Sequence, residues 1–190
     1  MKNVTKYIIG FIFILFINSC ASQNIDRKDK VKLAYLLINH HFSNNYNKGK
    51  QNYIYHKTLG KDSATILMRE SGISNFLRNE KSSSLFKKCQ LDSTLSKKAQ
   101  IKLDSLYANF KEVELNPKKL KSKNILLVFT NVNVYKKELV GRITFPIIIQ
   151  DKGVYYGILT HSDVYGGELY FFKYIGGKWE LICHKMLFVV

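Results

Sequence analysis

Four β-prone runs crowd the last third of this 190-residue chain, and what separates them restricts the fold more than any other feature. Arg142 to Ile149, Val154 to Ser162, Glu168 to Ile175 and Lys178 to Leu187 are divided by Asp151-Lys152-Gly153, by Gly166-Gly167 and by Gly176-Gly177. A two-residue Gly-Gly loop signals a tight hairpin, because both central positions of the turn need φ > 0. Consecutive runs joined by such short turns predict an antiparallel meander. Pro146 marks the first run as an edge or bulged strand, since proline has no N–H to give the ladder. Ile125 to Tyr135 is a further β-prone run ahead of it.

The residues before the meander read as helices. Val31, Ala34, Tyr35, Ile38 and Phe42 recur at helical spacing, which predicts a helix through about Phe42. Asn44 to Lys50 reads as a turn, and Tyr53-Ile54-Tyr55-His56 as a short strand. From Asp62 to Glu80 the pattern is ambiguous, with Ser71-Gly72 interrupting helical pieces. Leu95, Ala99, Leu103, Leu106 and Phe110 form a stripe with Asp92 or Ser93 as N-cap and Pro117 past the end. The expected fold is therefore α+β, with N-terminal helices packed on one face of a C-terminal antiparallel β-meander of four to five strands.

Glu168-Leu-Tyr-Phe-Phe-Lys-Tyr-Ile-Gly-Gly-Lys-Trp-Glu-Leu-Ile resembles the closing hairpin of many uncharacterised exported lipoproteins of Bacteroidetes type. The order helix, short strand, helices and a meander ending in Gly-Lys-Trp is also similar to the cystatin-like and NTF2-like folds. The likeness spans about 65 residues and implies that Trp179 plugs the core between sheet and helix; it implies no chemistry.

The amino terminus reads as an export signal. Met1 to Lys6 carries two lysines and no acid, and Tyr7 to Ile17 has no charge or strongly polar group. That run is roughly half the ~20 residues a spanning helix needs, and a small residue follows it at Ser19. Ile17-Asn18-Ser19-Cys20 resembles the bacterial lipobox, departing from it at Asn18. The resemblance implies cleavage before Cys20 and acylation of its sulfur and amine, with two or three chains making attachment effectively permanent. The rival is cleavage after Ala21 and release of the protein. No acidic run follows Cys20, which favours the periplasmic side of the outer membrane over the cell surface. The organisation is then a signal peptide over 1–19, a tether over 20–30 and one domain over 31–190, helical through 123 and a meander from 124.

Charge is the next constraint. Thirty Lys and Arg face 14 Asp and Glu, a net of +16, and only four of the cations are arginine. With 46% hydrophobic residues and two prolines the chain is globular, not disordered or collagen-like. Lys118, Lys119, Lys121 and Lys123 join the two halves in a basic connection suited to an anionic lipid, a polysaccharide or an acidic protein. Nucleic acid is not expected, given export and the scarcity of arginine, which reads bases and phosphates in bidentate fashion. The competing explanation is a solvated face whose lysines reflect codon bias.

Motifs for chemistry are sparse. His40, His41, His56, His161 and His184 lack the i, i+4 spacing of a zinc helix, so no metal and no cofactor is expected. Cys183 and His184 are strand neighbours and face opposite ways. His161-Ser162-Asp163 has the letters of a triad, but triad members converge from separate segments. Ser84-Leu-Phe-Lys87 fits S-x-x-K without its companion motifs. Cys89 and Cys183 can pair in an oxidising compartment, for about 4–5 kcal/mol in the chain-entropy model, or stay as buried thiols. No catalytic residue is assigned. The expectation is a membrane-anchored periplasmic lipoprotein acting as a non-enzymatic binding module, whose surplus sheet aromatics, Tyr155, Tyr156, Tyr170, Phe171, Phe172 and Tyr174, could line a pocket. The alternative is a small periplasmic hydrolase with a site around His161, Ser162 or Cys183.

Overall fold

In the computed structural model, which describes residues 27–44, 51–61, 72–78, 89–129 and 140–189, helix α1 (Arg27–Asn44) leads into strand β1 (Asn52–Tyr55). Helices α2 (Ile73–Arg78), α3 (Leu91–Thr94) and α4 (Lys97–Ala108) follow, then a 3₁₀ turn at Pro117–Lys119 and β2 (Ile125–Val128). Strands β3 (Val140–Ile143), β4 (Ile147–Asp151), β5 (Val154–Ser162), β6 (Gly166–Ile175) and β7 (Lys178–Val189) complete the α+β chain. Residues 31–190 form one compact unit.

Among the described residues the sheet has seven strands, in the order β2-β1-β3-β5-β6-β7, with β4 also on β5. That corrects the expected four to five strands. It also corrects a purely antiparallel sheet, because β1 lies parallel to both β2 and β3. The parallel pairs join strands that helices separate in sequence, which a crossover permits and a hairpin does not. From β4 to β7 the meander is antiparallel. The run around Pro146 splits in two: β3 pairs the far end of β5 and β4 its near end, with Thr144 to Pro146 outside both strands. Proline's missing N–H accounts for the break.

Helices cover both faces of the sheet, not one. On the first face, α1 side chains Ala34, Leu37 and Ile38 pack with Ile148, Leu159, Tyr170, Phe172 and Trp179. On the second, Leu77, Leu91, Ala99 and Leu103 of α2–α4 pack with Ile149, Tyr156, Ile158, Phe171 and Cys183. Alternate residues of β5 and β6 therefore go to opposite cores, as period-two side chains must. A strand buried on both sides reads as a continuous apolar run, and Leu169-Tyr170-Phe171-Phe172 is one. The surplus aromatics are thus two half-cores. Trp179 is buried among them and donates its indole N–H to the Leu33 carbonyl at 3.3 Å.

Two turns follow the sequence reading and one does not. Lys152 and Gly153 take φ of 49° and 78°, and Gly176 and Gly177 take 56° and 83°. Gly166 and Gly167 instead begin β6, while Asp163 makes the turn by accepting the N–H groups of Tyr165 and Gly166 at 2.8 and 3.2 Å. Helix α4 also starts later than its stripe implies. Its N-cap is Ser96, not Asp92 or Ser93, and Ser96 gives both N–H and O–H to the Asp151 carboxylate at 2.7 Å. The buried positions are Ala99, Gln100, Leu103 and Tyr107, while Leu106 is exposed. Cys89 and Cys183, 94 residues apart, are joined with their Cα atoms 5.4 Å apart, tying the approach to α3 onto β7.

Candidate functional site

The last turn of α1 sets His41 against the sheet, where β5 and β6 place His161 and Tyr170 on the same face. His41 Nε2 lies 3.4 Å from His161 Nδ1, and the His41 ring meets Tyr170 edge-on at 4.5 Å between centroids. His184, opposite Tyr170 in the β6–β7 ladder, stacks on it nearly parallel at 5.7 Å. The Tyr170 hydroxyl donates to the Glu168 carboxylate, and His184 Nδ1 is 3.9 Å from the same oxygen. His40, one step along the helix, touches Phe172 edge-on at 6.0 Å. Four of the five histidines are thus gathered where α1 ends.

Close packing fixes this arrangement. A Cβ at Gly141 would stand 2.6 Å from His161 Nε2, so only glycine lets that ring lie over β3. Burial holds His41 well below the ordinary imidazole value of 6.5, and the charges of His161 and His40 push the same way. His161 is lowered by burial too, against the opposing pull of Asp163 and Glu168. An imidazole kept neutral has one N–H and one lone pair, so the two rings share a single hydrogen bond.

Next to this cluster a cleft of about 330 Å³ opens between the β5–β6 turn and the end of β7. Asp163, Glu168, Tyr165, Tyr170, Met186 and Phe188 carry its chemistry. Tyr165 is 67% exposed and Phe188 38%, which makes them the lips. Beneath them, Gly167 has no side chain, and a Cβ there would sit 2.6 Å from the Phe188 ring.

Of the groups weighed for a hydrolase, His161 and Ser162 line this cleft, but as strand neighbours they point to opposite faces. Cys183 is bonded to Cys89 and has no free thiol. Asp163 spends one carboxylate oxygen on its own turn. His56 lies elsewhere, its Nδ1 3.1 Å from the Val128 carbonyl and its ring stacked on Phe129 at 4.9 Å. Among the described residues no group of three or more His, Cys, Asp and Glu could hold a metal ion. Cys20, Ser84 and Lys87 lie outside the described residues.

The basic connection has a defined seat. Asn39 on α1 gives its amide N–H to the Lys119 carbonyl at 3.0 Å and takes the N–H groups of Lys121 and Ser122 at 2.7 and 3.1 Å. The Tyr35 hydroxyl accepts the Asn116 N–H at 2.9 Å, and Lys119 Nζ lies 5.1 Å above the Tyr35 ring. Lys118, Lys119, Lys121 and Lys123 are all exposed.

The signals for this site were nonlocal. Counting back from Gly176-Gly177 pairs Tyr170 with Cys183, whereas a bulge between Phe171 and Phe172 moves its partner to His184. Nothing in sequence marks that bulge. His41 and His161 lie 120 residues apart, with no pattern linking them. Compared with protein-family models, with curated proteins and with solved structures, the chain matches none.

Proposed function

We propose that this chain is a lipid-anchored, non-enzymatic binding module of the cell envelope, attached through Cys20 on the periplasmic side of the outer membrane. Its α+β domain lies against phosphate-bearing lipid headgroups through Lys118, Lys119, Lys121 and Lys123. One observation carries the reading: the four exposed lysines project from a backbone that Asn39 and Tyr35 bolt to α1. A free lysine-rich loop would lose chain entropy on meeting a surface, and a seated one has already lost it. Between Leu115 and Lys137 the sequence holds no acid, so nothing in the connection neutralises it.

Each lysine near an anionic bilayer contributes about 1 kcal/mol, decaying within a Debye length. The test uses the 21–190 fragment, which no lipid holds, and vesicles with and without anionic phospholipid. Co-sedimentation should require the anionic lipid, fall with salt, and collapse when the four lysines become glutamine. Equal binding by the glutamine variant would sink the reading.

A further inference from the structure

We propose that the cleft at the β5–β6 turn is a binding site for a small organic cation, an ammonium group carried on an apolar body. The inference is independent of the lysine connection and of the lipid anchor. It starts from a local reversal of charge. The chain carries a net of +16, yet Asp163 and Glu168 line the cleft and, among the described residues, no lysine or arginine does. Arg142, opposite Ser162 in the β3–β5 ladder, lays its guanidinium over Tyr55 at 5.2 Å, and Tyr55 is not part of the cleft. Burial disfavours a positive charge on His161, the imidazole in the wall. An anion entering would meet two carboxylates and, among the described lining residues, no lysine or arginine.

The rest of the lining suits the apolar body. Tyr165 and Phe188 are aromatic lips and Met186 supplies a polarisable thioether, while the buried Tyr170 ring, stacked on His184, backs the wall. Ring faces attract an ammonium through their quadrupole, most strongly when water is displaced. The carboxylates are also set for the task. Asp163 uses Oδ1 for its turn, and Oδ2 accepts no hydrogen bond among the described residues. Glu168 is steadied by the Tyr170 hydroxyl. A volume of about 330 Å³ lies at the small end of ligand pockets and admits a compact amine rather than a polymer.

The probes are choline and its uncharged isostere 3,3-dimethylbutan-1-ol, titrated calorimetrically into the full-length protein in a non-ionic detergent. Choline should bind at one site and weaken with salt, and the alcohol should bind at least about tenfold more weakly. Two conservative substitutions keep the fold intact. Asp163→Asn leaves an oxygen to accept the turn N–H groups, and Glu168→Gln leaves one for Tyr170. Together they should weaken choline about tenfold or more, as charge-assisted contacts do when the charge is removed. Tyr165→Ala, at an exposed lip, should weaken it about threefold. Lys102→Gln, on the exposed face of α4 and outside both the cleft and the lysine connection, should change nothing. No heat with choline, equal binding of the alcohol, or full binding by the doubly substituted protein would each overturn the proposal.

Discussion

Single atoms decide the histidine cluster. The His161 ring occupies space that any side chain at position 141 would claim, with Ile54 Cδ1 a further 3.1 Å neighbour of that missing Cβ. Gly141 is buried in the sheet between β1 and β5, so a methyl group there must displace the His161 ring or the Ile54 side chain. Gly141→Ala should therefore destabilise the protein by about 1–3 kcal/mol, the range for overpacking a filled core. Urea denaturation measures the loss. Proton NMR should show the His161 resonances displaced while those of His56, beyond the cluster, stay in place. An unshifted His161 would mean the ring does not lie over Gly141.

At the scale of elements, one side chain joins α1 to the basic connection. Asn39 makes three hydrogen bonds there, and Asn39→Ala removes all of them at once. The cost should be about 1–2 kcal/mol, since partly exposed groups regain water. Hydrogen exchange at the Lys121 and Ser122 amides should quicken specifically; unchanged exchange would mean other contacts seat the loop. The sequence made this connection visible as a lysine run but gave no sign of its seat. The same division holds across the fold. Turn chemistry is local, so Asp-Lys-Gly and Gly176-Gly177 set β4 to β7 in order. Strand neighbours are not local, so the parallel contacts of β1 with β2 and β3 left no trace in residue pattern. The apolar block in β6 did carry a message: both faces are buried. Ser96 shows the reverse case, where the tertiary partner Asp151 moved a helix start that propensity had placed earlier.

For the whole molecule, the gathered histidines couple folding to pH. His40, His41 and His161 are all lowered from 6.5, each chiefly by burial, and His41 furthest in direction. The unfolded chain takes up protons on these rings near 6.5, where the folded protein still resists them. It then binds more protons than the folded state, so stability rises with pH across this interval. The contribution is complete above 6.5 and is lost as pH falls through the lowered folded values. Asp163 and Glu168 oppose the shift at His161 but do not reverse it. Asp151 adds a separate loss at lower pH. Burial alone would raise it, but the two Ser96 hydrogen bonds and the Lys152 charge bring it below 3.8, so its contribution disappears only as pH falls past that value. Denaturation midpoints should therefore decline between pH 7.5 and 5.5, ahead of any carboxylate effect. His41→Phe keeps the aromatic contacts with Phe42, Tyr170 and Phe172 and abolishes the most perturbed ring. Its midpoint should vary less over the same range. If the slope is unchanged, His41 is not the ring that resists protonation, and the coupling belongs to His40 and His161.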